Sequence, residues 1–267
     1  MNGSQVLPNE TLRVAVVSLM VLVVSLLVWQ LLSKPFVGGR TQGLPGPVAV
    51  GKVTVEMLSE PFYDRGPNDK GIGLQVLASL GRVALGYGAA SVVAIFVGVI
   101  LGLNPTLLKA MNPYIQILKP ISPLAWMPLF LYTIRDSTGA MILVIFMSSL
   151  WPTLANTAFG VGSIKRDYLN VAALLQLSWW GRLFKVILPA AAPTIVAGLR
   201  ISIGSAWVAV VAAEMLVGGT GIGYFVWNEW NNLSLTSVIF AILIIGLVGV
   251  FLDLGFNRLA KAMAYAE

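Results

Sequence analysis

The chain has 267 residues, of which 57% are hydrophobic and only 10% charged, with a mean hydropathy of +0.85 and a net charge of +6; a soluble domain carries about a quarter charged residues. It holds no cysteine and no histidine, which excludes thiolate chemistry, disulfide frameworks, haem ligation by histidine and the usual zinc sites, so no metal site is expected. Backbone groups in a bilayer must be satisfied internally, and the long apolar runs lack the two-residue alternation of barrel strands, so the expected fold class is an all-α integral membrane protein of about six transmembrane helices.

Residues 1–33 hold the first apolar run, Leu12 to Leu32, long enough at 1.5 Å per residue to cross the hydrocarbon. It exceeds a signal-peptide core and lacks a small-x-small cleavage site, so a retained first helix is expected. Residues 34–74 carry most of the polar character, with Gly38-Gly39, Leu44-Pro45-Gly46-Pro47 and "PFYDRGPNDKG" at 61–71. They are expected to form an excursion outside the membrane with a short interfacial helix near Val48 to Leu58. The remaining core, residues 75–267, is expected to supply spans at about Gln75 to Leu103, Asn112 to Ile134, Thr138 to Gly160, Ala191 to Val217 and Leu235 to Leu259. Lys109, Lys165, Arg166, Arg182, Lys185, Arg258 and Lys261 lie in loops on one side, against Asp167 and Glu267. By the positive-inside rule that side is the cytoplasm, both termini included, and residues 218–234 form an outer loop. The basic residues are scattered beside apolar runs, which argues for topology rather than a nucleic-acid-binding face. No internal repeat is detectable.

Residues 161–189 interrupt the apolar pattern. Leu174, Leu177, Gly181, Phe184 and Leu188 recur at steps of three and four, which predicts one apolar stripe. Ser178 is suited to cap a second short helix, and Pro189 is expected to end it. On composition alone, such a basic, tryptophan-bearing segment reads as a helix lying on anionic lipid.

From Asn170 to Pro189 the segment resembles the EAA loop of permease subunits of ABC importers: Asn170-Val171-Ala172, Gln176 where that pattern has glycine, nine residues to Val186, then Leu188-Pro189. Asn170 replaces the acidic residue and Gln176 the glycine. The Leu44-Pro45-Gly46-Pro47 entry, Ala78 to Val83, "LKPISPLAWMPLF" at 118–130 and "GLRISIGSAWVAVVAAEML" at 198–216 look like the nitrate/sulfonate/taurine branch, and 61–71 and 221–231 like bacterial nitrate and bicarbonate permeases. The resemblance implies a type I importer fold and a coupling loop at 161–189. It makes Asn170, Val171, Ala172, Ala173, Gln176, Leu177, Ser178, Trp179, Trp180 and Arg182 the residues that contact an ATPase. It also implies two cytoplasmic ABC ATPases holding ATP and Mg, a second permease copy, and a periplasmic or lipid-anchored solute-binding protein in a bacterial inner membrane. No cofactor is expected on this chain, which lacks a Gly-rich phosphate cradle followed by Lys-Ser/Thr, and no catalytic residue is expected.

Ionisable groups inside spans are candidates for function. Lys119, in a segment with Pro113, Pro120, Pro123 and Pro128, either attracts a small anion or extends its charge to lipid phosphate. Arg200 is a pathway cation or a structural partner. Glu214 is expected at a helix end and Asp253 to pair with Arg258. Trp126, Ser149, Ser205 and Trp207 complete the expected substrate pathway, although tryptophan in a bundle usually packs and serine usually bonds its own helix. Gly198 and Gly204, with Ala197 and Ser205, suit close approach of helices or of two copies. Nitrate leads as the expected anion, with bicarbonate or a sulfonate as alternatives. An ATP-independent secondary transporter would rely on Glu214 and Asp253, and a membrane enzyme would need paired catalytic groups that the sequence does not display.

Overall fold

The computed structural model describes residues 8–33 and 44–264. The expected features at Gly38-Gly39 and Glu267, and the side chains of Arg166 and Lys261, lie outside what it describes. The helices in chain order are α1 (Pro8–Leu32), α2 (Pro47–Ser59), α3 (Ile72–Leu103), α4 (Pro105–Leu118), α5 (Met127–Ile134), α6 (Ser137–Gly162), α7 (Arg166–Leu174), α8 (Trp179–Arg182), α9 (Leu188–Val217), α10 (Ile222–Asn231) and α11 (Leu235–Ala264). Among the described residues, 5 helices are long and apolar enough to cross a membrane, and the pair Pro105–Leu118 and Pro123–Ile134, bent by 82°, is apolar enough to do so if it forms one span.

α3, α6 and α9 form the centre, with α11 and α10 against α9 and α5 against α6. Lipid tails are as apolar as leucine, so these contacts depend on close packing rather than on exclusion of water. Glycine permits that closeness. A Cβ at Gly98 of α3 would sit 2.7 Å from Thr157 Cβ of α6, and one at Gly198 of α9 would sit 2.7 Å from Asn156 Cβ. Gly204 has open space, so no described helix of this chain approaches it closely. The main core gathers Val50, Val83, Ile145, Trp207, Val210, Phe225 and Phe240 from six helices. α1 meets this core at its end through the part-buried Trp29, whose Nε1 donates to the Pro45 carbonyl at 3.1 Å, while no residue of its apolar window is buried.

The expected boundaries shift in three places. The third span does not begin at Asn112. Asn104 Oδ1 accepts from the Leu107 N–H at 3.1 Å, and with Pro105 in the first turn it starts α4 there. Pro113 stays inside α4, and the break falls at 119–122, beside Pro120 and before a 3₁₀ turn at Pro123–Trp126. Proline withholds a helix donor, and here several lie close enough together to divide one span.

Pro189 does not end a helix either. Helical backbone continues from Trp179 to Val217, and a π-helical turn at Leu183–Ile187 ends two residues before Pro189. Such a bulge re-routes carbonyls around the missing N–H. The loop at 218–234, expected on the outer side, contains α10, whose Ile222, Phe225 and Val226 point into the core.

Candidate functional site

The segment between α6 and α9 folds as two short helices separated by a tight stop. At the end of α7 the Gln176 N–H donates to the Ala173 carbonyl at 3.0 Å and the Leu177 N–H to the Ala172 carbonyl at 3.2 Å, while Gln176 has φ of 49°. This is a Schellman stop with Gln176 in the left-handed position that glycine ordinarily fills. The glycine of the EAA pattern therefore has a backbone reason, and Gln176 meets the same geometry with a Cβ that opposes it. Ser178 caps α8 as expected, its Oγ accepting the Gly181 N–H at 3.2 Å.

The stop also changes which residues face inward. Periodicity carried through 175–178 predicted a stripe of Leu174, Leu177, Gly181, Phe184 and Leu188. Instead Ala172, Leu183 and Ile187 are buried, and Leu183 and Ile187 pack with Val99, Val161, Ala191 and Ile195. The break and the π-turn reset the angular phase, so spacing across them loses meaning. Leu174 is left 82% exposed and Trp180 64% exposed. Trp179 and Trp180 meet edge to face at 4.7 Å, and Trp180 stacks on Phe184 at 6.0 Å. Asn170, Val171, Ala173 and Gln176 are exposed, Leu177 and Arg182 partly so. Arg182 Nε is buried and has no hydrogen-bond partner among the described residues. This end of the bundle thus presents a contiguous apolar and aromatic surface beside Arg182 and Lys185.

The opposite end holds a buried polar cluster that sequence reasoning missed. Glu214, at the end of α9, accepts from Arg82 at 2.6 Å, Ser79 Oγ at 2.8 Å and the Gly223 N–H at 2.9 Å. Ser79 Oγ accepts the Ile222 N–H at 2.9 Å, and Gln75 Oε1 accepts the Gly221 N–H at 2.6 Å. Side chains from α3 and α9 therefore satisfy the free donors at the start of α10, where Gly221 supplies no side-chain cap and a negative charge is favoured. Glu214 is the expected helix-end contact. Gln75, Ser79 and Arg82 recur at helical spacing on α3, which was the available signal.

The polar loop before α3 is pinned to this end. Tyr224 Oη donates to Asn68 Oδ1 at 3.2 Å, and Lys70 pairs with Asp64 at 2.5 Å. Lys70 beside Asp64, helped by the Gly66 N–H, holds that carboxyl below the usual carboxylate range, and burial pushes the Tyr63 phenol up.

The expected pathway residues do not converge on one chamber. Ser205 lines a cavity of about 580 Å³ with Ser122, Leu124, Ser148 and Val208. Trp126 stacks on Phe130 at 6.3 Å. Lys119 is exposed at the end of α4 and lines a separate groove against α6 with Gln116 and Ala155. Ser149 is buried between α6 and α9, its Oγ donating to Ile145 and its carbonyl accepting from Ser202. Trp207 is a core residue whose Nε1 donates to the Ile245 carbonyl at 3.0 Å. Arg200 makes a two-point ion pair with Asp253, both contacts at 2.7 Å. Asp253 therefore takes Arg200 rather than Arg258 as partner, because the antiparallel packing of α9 and α11 brings them together.

Residues 91–265 match the family model described as "Binding-protein-dependent transport system inner membrane component". The nitrate import permease protein NrtB of Synechocystis sp. is 43% identical over 86% of this chain and 82% of its own length. The bicarbonate transport system permease protein CmpB of the same organism is 44% identical over 90% of this chain and 85% of its own length. In fold, a chain of the inward-facing MetNI methionine ABC transporter superposes with a TM-score of 0.62 at 16% identity, covering 71% of this chain and 94% of that one.

Proposed function

The chain belongs to the family of binding-protein-dependent transport system inner membrane components, and we propose that this permease, which has the fold of a type I ABC importer, moves nitrate across a bacterial inner membrane. The observation that carries the substrate is its likeness, over most of its length, to permeases named for small planar anions. Bicarbonate is the second reading, because a bicarbonate permease is as similar as the nitrate ones.

The exposed face of α7 and α8 is the handle for the energy source. Leu174, Trp179, Trp180 and Phe184 offer apolar area to an ATPase groove, while Arg182 and Lys185 supply charge at its edge. The π-turn and continuous helix behind them join that handle to α9, so movement of an ATPase domain is delivered to the helix that carries Arg200 and Ser205. Two permease copies and two ATPases, which hold the ATP and Mg, would then alternate the pathway between its faces. The solute-binding protein delivers the anion to the opposite end, where the pinned loop and α10 lie. In this arrangement both chain termini are cytoplasmic.

Uptake of labelled nitrate and labelled bicarbonate by the complete transporter tests this reading, with this chain co-expressed with its ATPase and binding protein in a strain lacking its own high-affinity systems. Uptake of nitrate that stops when the ATPase is inactivated is the expected result. Transport of bicarbonate alone selects the second reading, and uptake that persists without the ATPase refutes the coupled mechanism. Trp180→Asp is expected to leave a folded, membrane-inserted protein that has lost ATP-driven uptake.

A further inference from the structure

Arg200 lies about 18 Å along α9 from Leu188 at 1.5 Å per residue, well within an apolar span. Its side chain is 41% exposed and that of its partner Asp253 is 51% exposed. Charged side chains at such depth are expensive in lipid and characteristically face a water-filled cavity or another protein surface. Two openings flank this pair. One of about 410 Å³ is lined by Pro193, Ala197, Arg200, Ile201 and Asp253. A smaller one includes Gly204 and Trp207. The next turn of the same helix contributes Ile201, Gly204 and Ser205 to the cavity that also holds Ser148.

The geometry of the pair has a chemical consequence. Arg200 Nε and Nη2 each meet one oxygen of the Asp253 carboxylate. A guanidinium fork of this kind recognises two oxygens held on one planar centre. Nitrate and bicarbonate present the same feature as a carboxylate: at least two oxygens on a planar, monovalent, negatively charged group. Asp253 is thus a covalently attached analogue of the cargo, seated on the donors the cargo would use.

We propose that Arg200 is an anion site of the transport path and that Asp253 is its resting occupant, displaced when the anion binds and returned when it leaves. The inference rests on the anion-permease reading above. With the site empty, the two charges cancel and the path carries no unpaired cation. An arriving anion takes the fork, and Asp253 turns toward the adjoining opening, where water solvates it. Because the carboxylate competes for the same donors, it holds anion affinity low enough for release. The fork itself favours two-oxygen planar anions over spherical ones, since a single sphere cannot engage both donors as a carboxylate does.

Equilibrium binding of labelled nitrate to the permease–ATPase complex in nanodiscs, without the binding protein, tests the proposal. Asp253→Asn removes the competitor's charge and is expected to tighten nitrate binding at least fivefold. Arg200→Gln, and the neutral double replacement with Asp253→Asn, are expected to show no binding at this site. In the unaltered protein, formate should displace nitrate while an equal concentration of chloride displaces it poorly; this arm stands even if a variant fails to assemble. Binding no tighter in Asp253→Asn, binding retained in Arg200→Gln, or equal displacement by formate and chloride overturns the proposal. Wild-type uptake in the neutral double shows a purely structural pair and overturns it too. ATP-driven nitrate or bicarbonate uptake by the unaltered transporter is scored separately, so failure here and failure of the transport reading are distinguishable.

Discussion

Replacing Glu214 by alanine removes the carboxylate on which three elements converge. Glu214 is fully buried, and Arg82 opposite it is only 12% exposed in its side chain. Breaking a buried ion pair by deleting one partner costs roughly 3–5 kcal/mol, because the remaining charge is stranded. The Ser79 hydroxyl and Gly223 amide lose the same acceptor, and each buried donor left unmade adds up to about 1–3 kcal/mol unless water enters. A net loss of about 3–5 kcal/mol is therefore expected for Glu214→Ala, with water repairing part of the damage. Glu214→Gln keeps the shape but not the charge and is expected to lose about half as much, in the range of a charge-assisted hydrogen bond. Glu214→Leu combined with Arg82→Leu should lose at least about 1 kcal/mol less than the sum of the two single changes, as interacting neighbours do. Hydrogen exchange by mass spectrometry over 218–226 is the direct assay, with thermal unfolding of the purified complex alongside. At about 1.4 kcal/mol per decade, amide exchange at the start of α10 should accelerate by about two to three and a half orders of magnitude when local opening controls it. Protection unchanged in Glu214→Ala, or a stability loss under about 1 kcal/mol, would refute the view that this cluster holds α10 in place.

Gln176→Gly is expected to stabilise the α7 stop by roughly 1 kcal/mol, since glycine adopts positive φ without the penalty of a Cβ; Gln176→Val should do the reverse, and thermal unfolding of the two variants reads the difference. Gly98→Val places new atoms on Thr157, where a Cβ alone would lie at 2.7 Å, and overpacking of about 1–3 kcal/mol should appear as reduced assembly of the purified protein. The acid response of the loop before α3 follows Asp64: its folded pKa is lowered by Lys70 and Gly66, so the ordering it contributes is present above the unfolded carboxylate value and fades as pH falls through the folded value. Limited proteolysis at 60–71 should thus show cleavage increasing toward strong acid in the native protein, and a flat profile in Asp64→Asn over the same range.

Much of the architecture was legible because bilayer physics acts on composition. Five long apolar helices, the short helix α2 and the Ser178 cap derive from run length, hydropathy and local donor chemistry. The EAA resemblance singled out the segment that is proposed to meet an ATPase. Local sequence also contained the Asn104-Pro105 start of α4, a cap signal hidden when the region is treated as one span. The α8 stripe failed for a different reason. Helical period is informative only while the helix is unbroken, and the left-handed Gln176 and the π-turn after Arg182 each rotate the faces of the residues beyond them.

The sequence by itself determined that this is a helical membrane protein lacking the side chains for most metal and thiol chemistry, with one basic aromatic segment set apart from its spans. Those properties depend on composition and on neighbours within a few turns. Only the tertiary structure decided that Glu214 belongs with Arg82 and that Asp253 belongs with Arg200 rather than Arg258. Each of those pairs joins residues far apart in the chain, and a buried or membrane-embedded charge takes as its partner whichever opposite charge the packing of helices carries within reach.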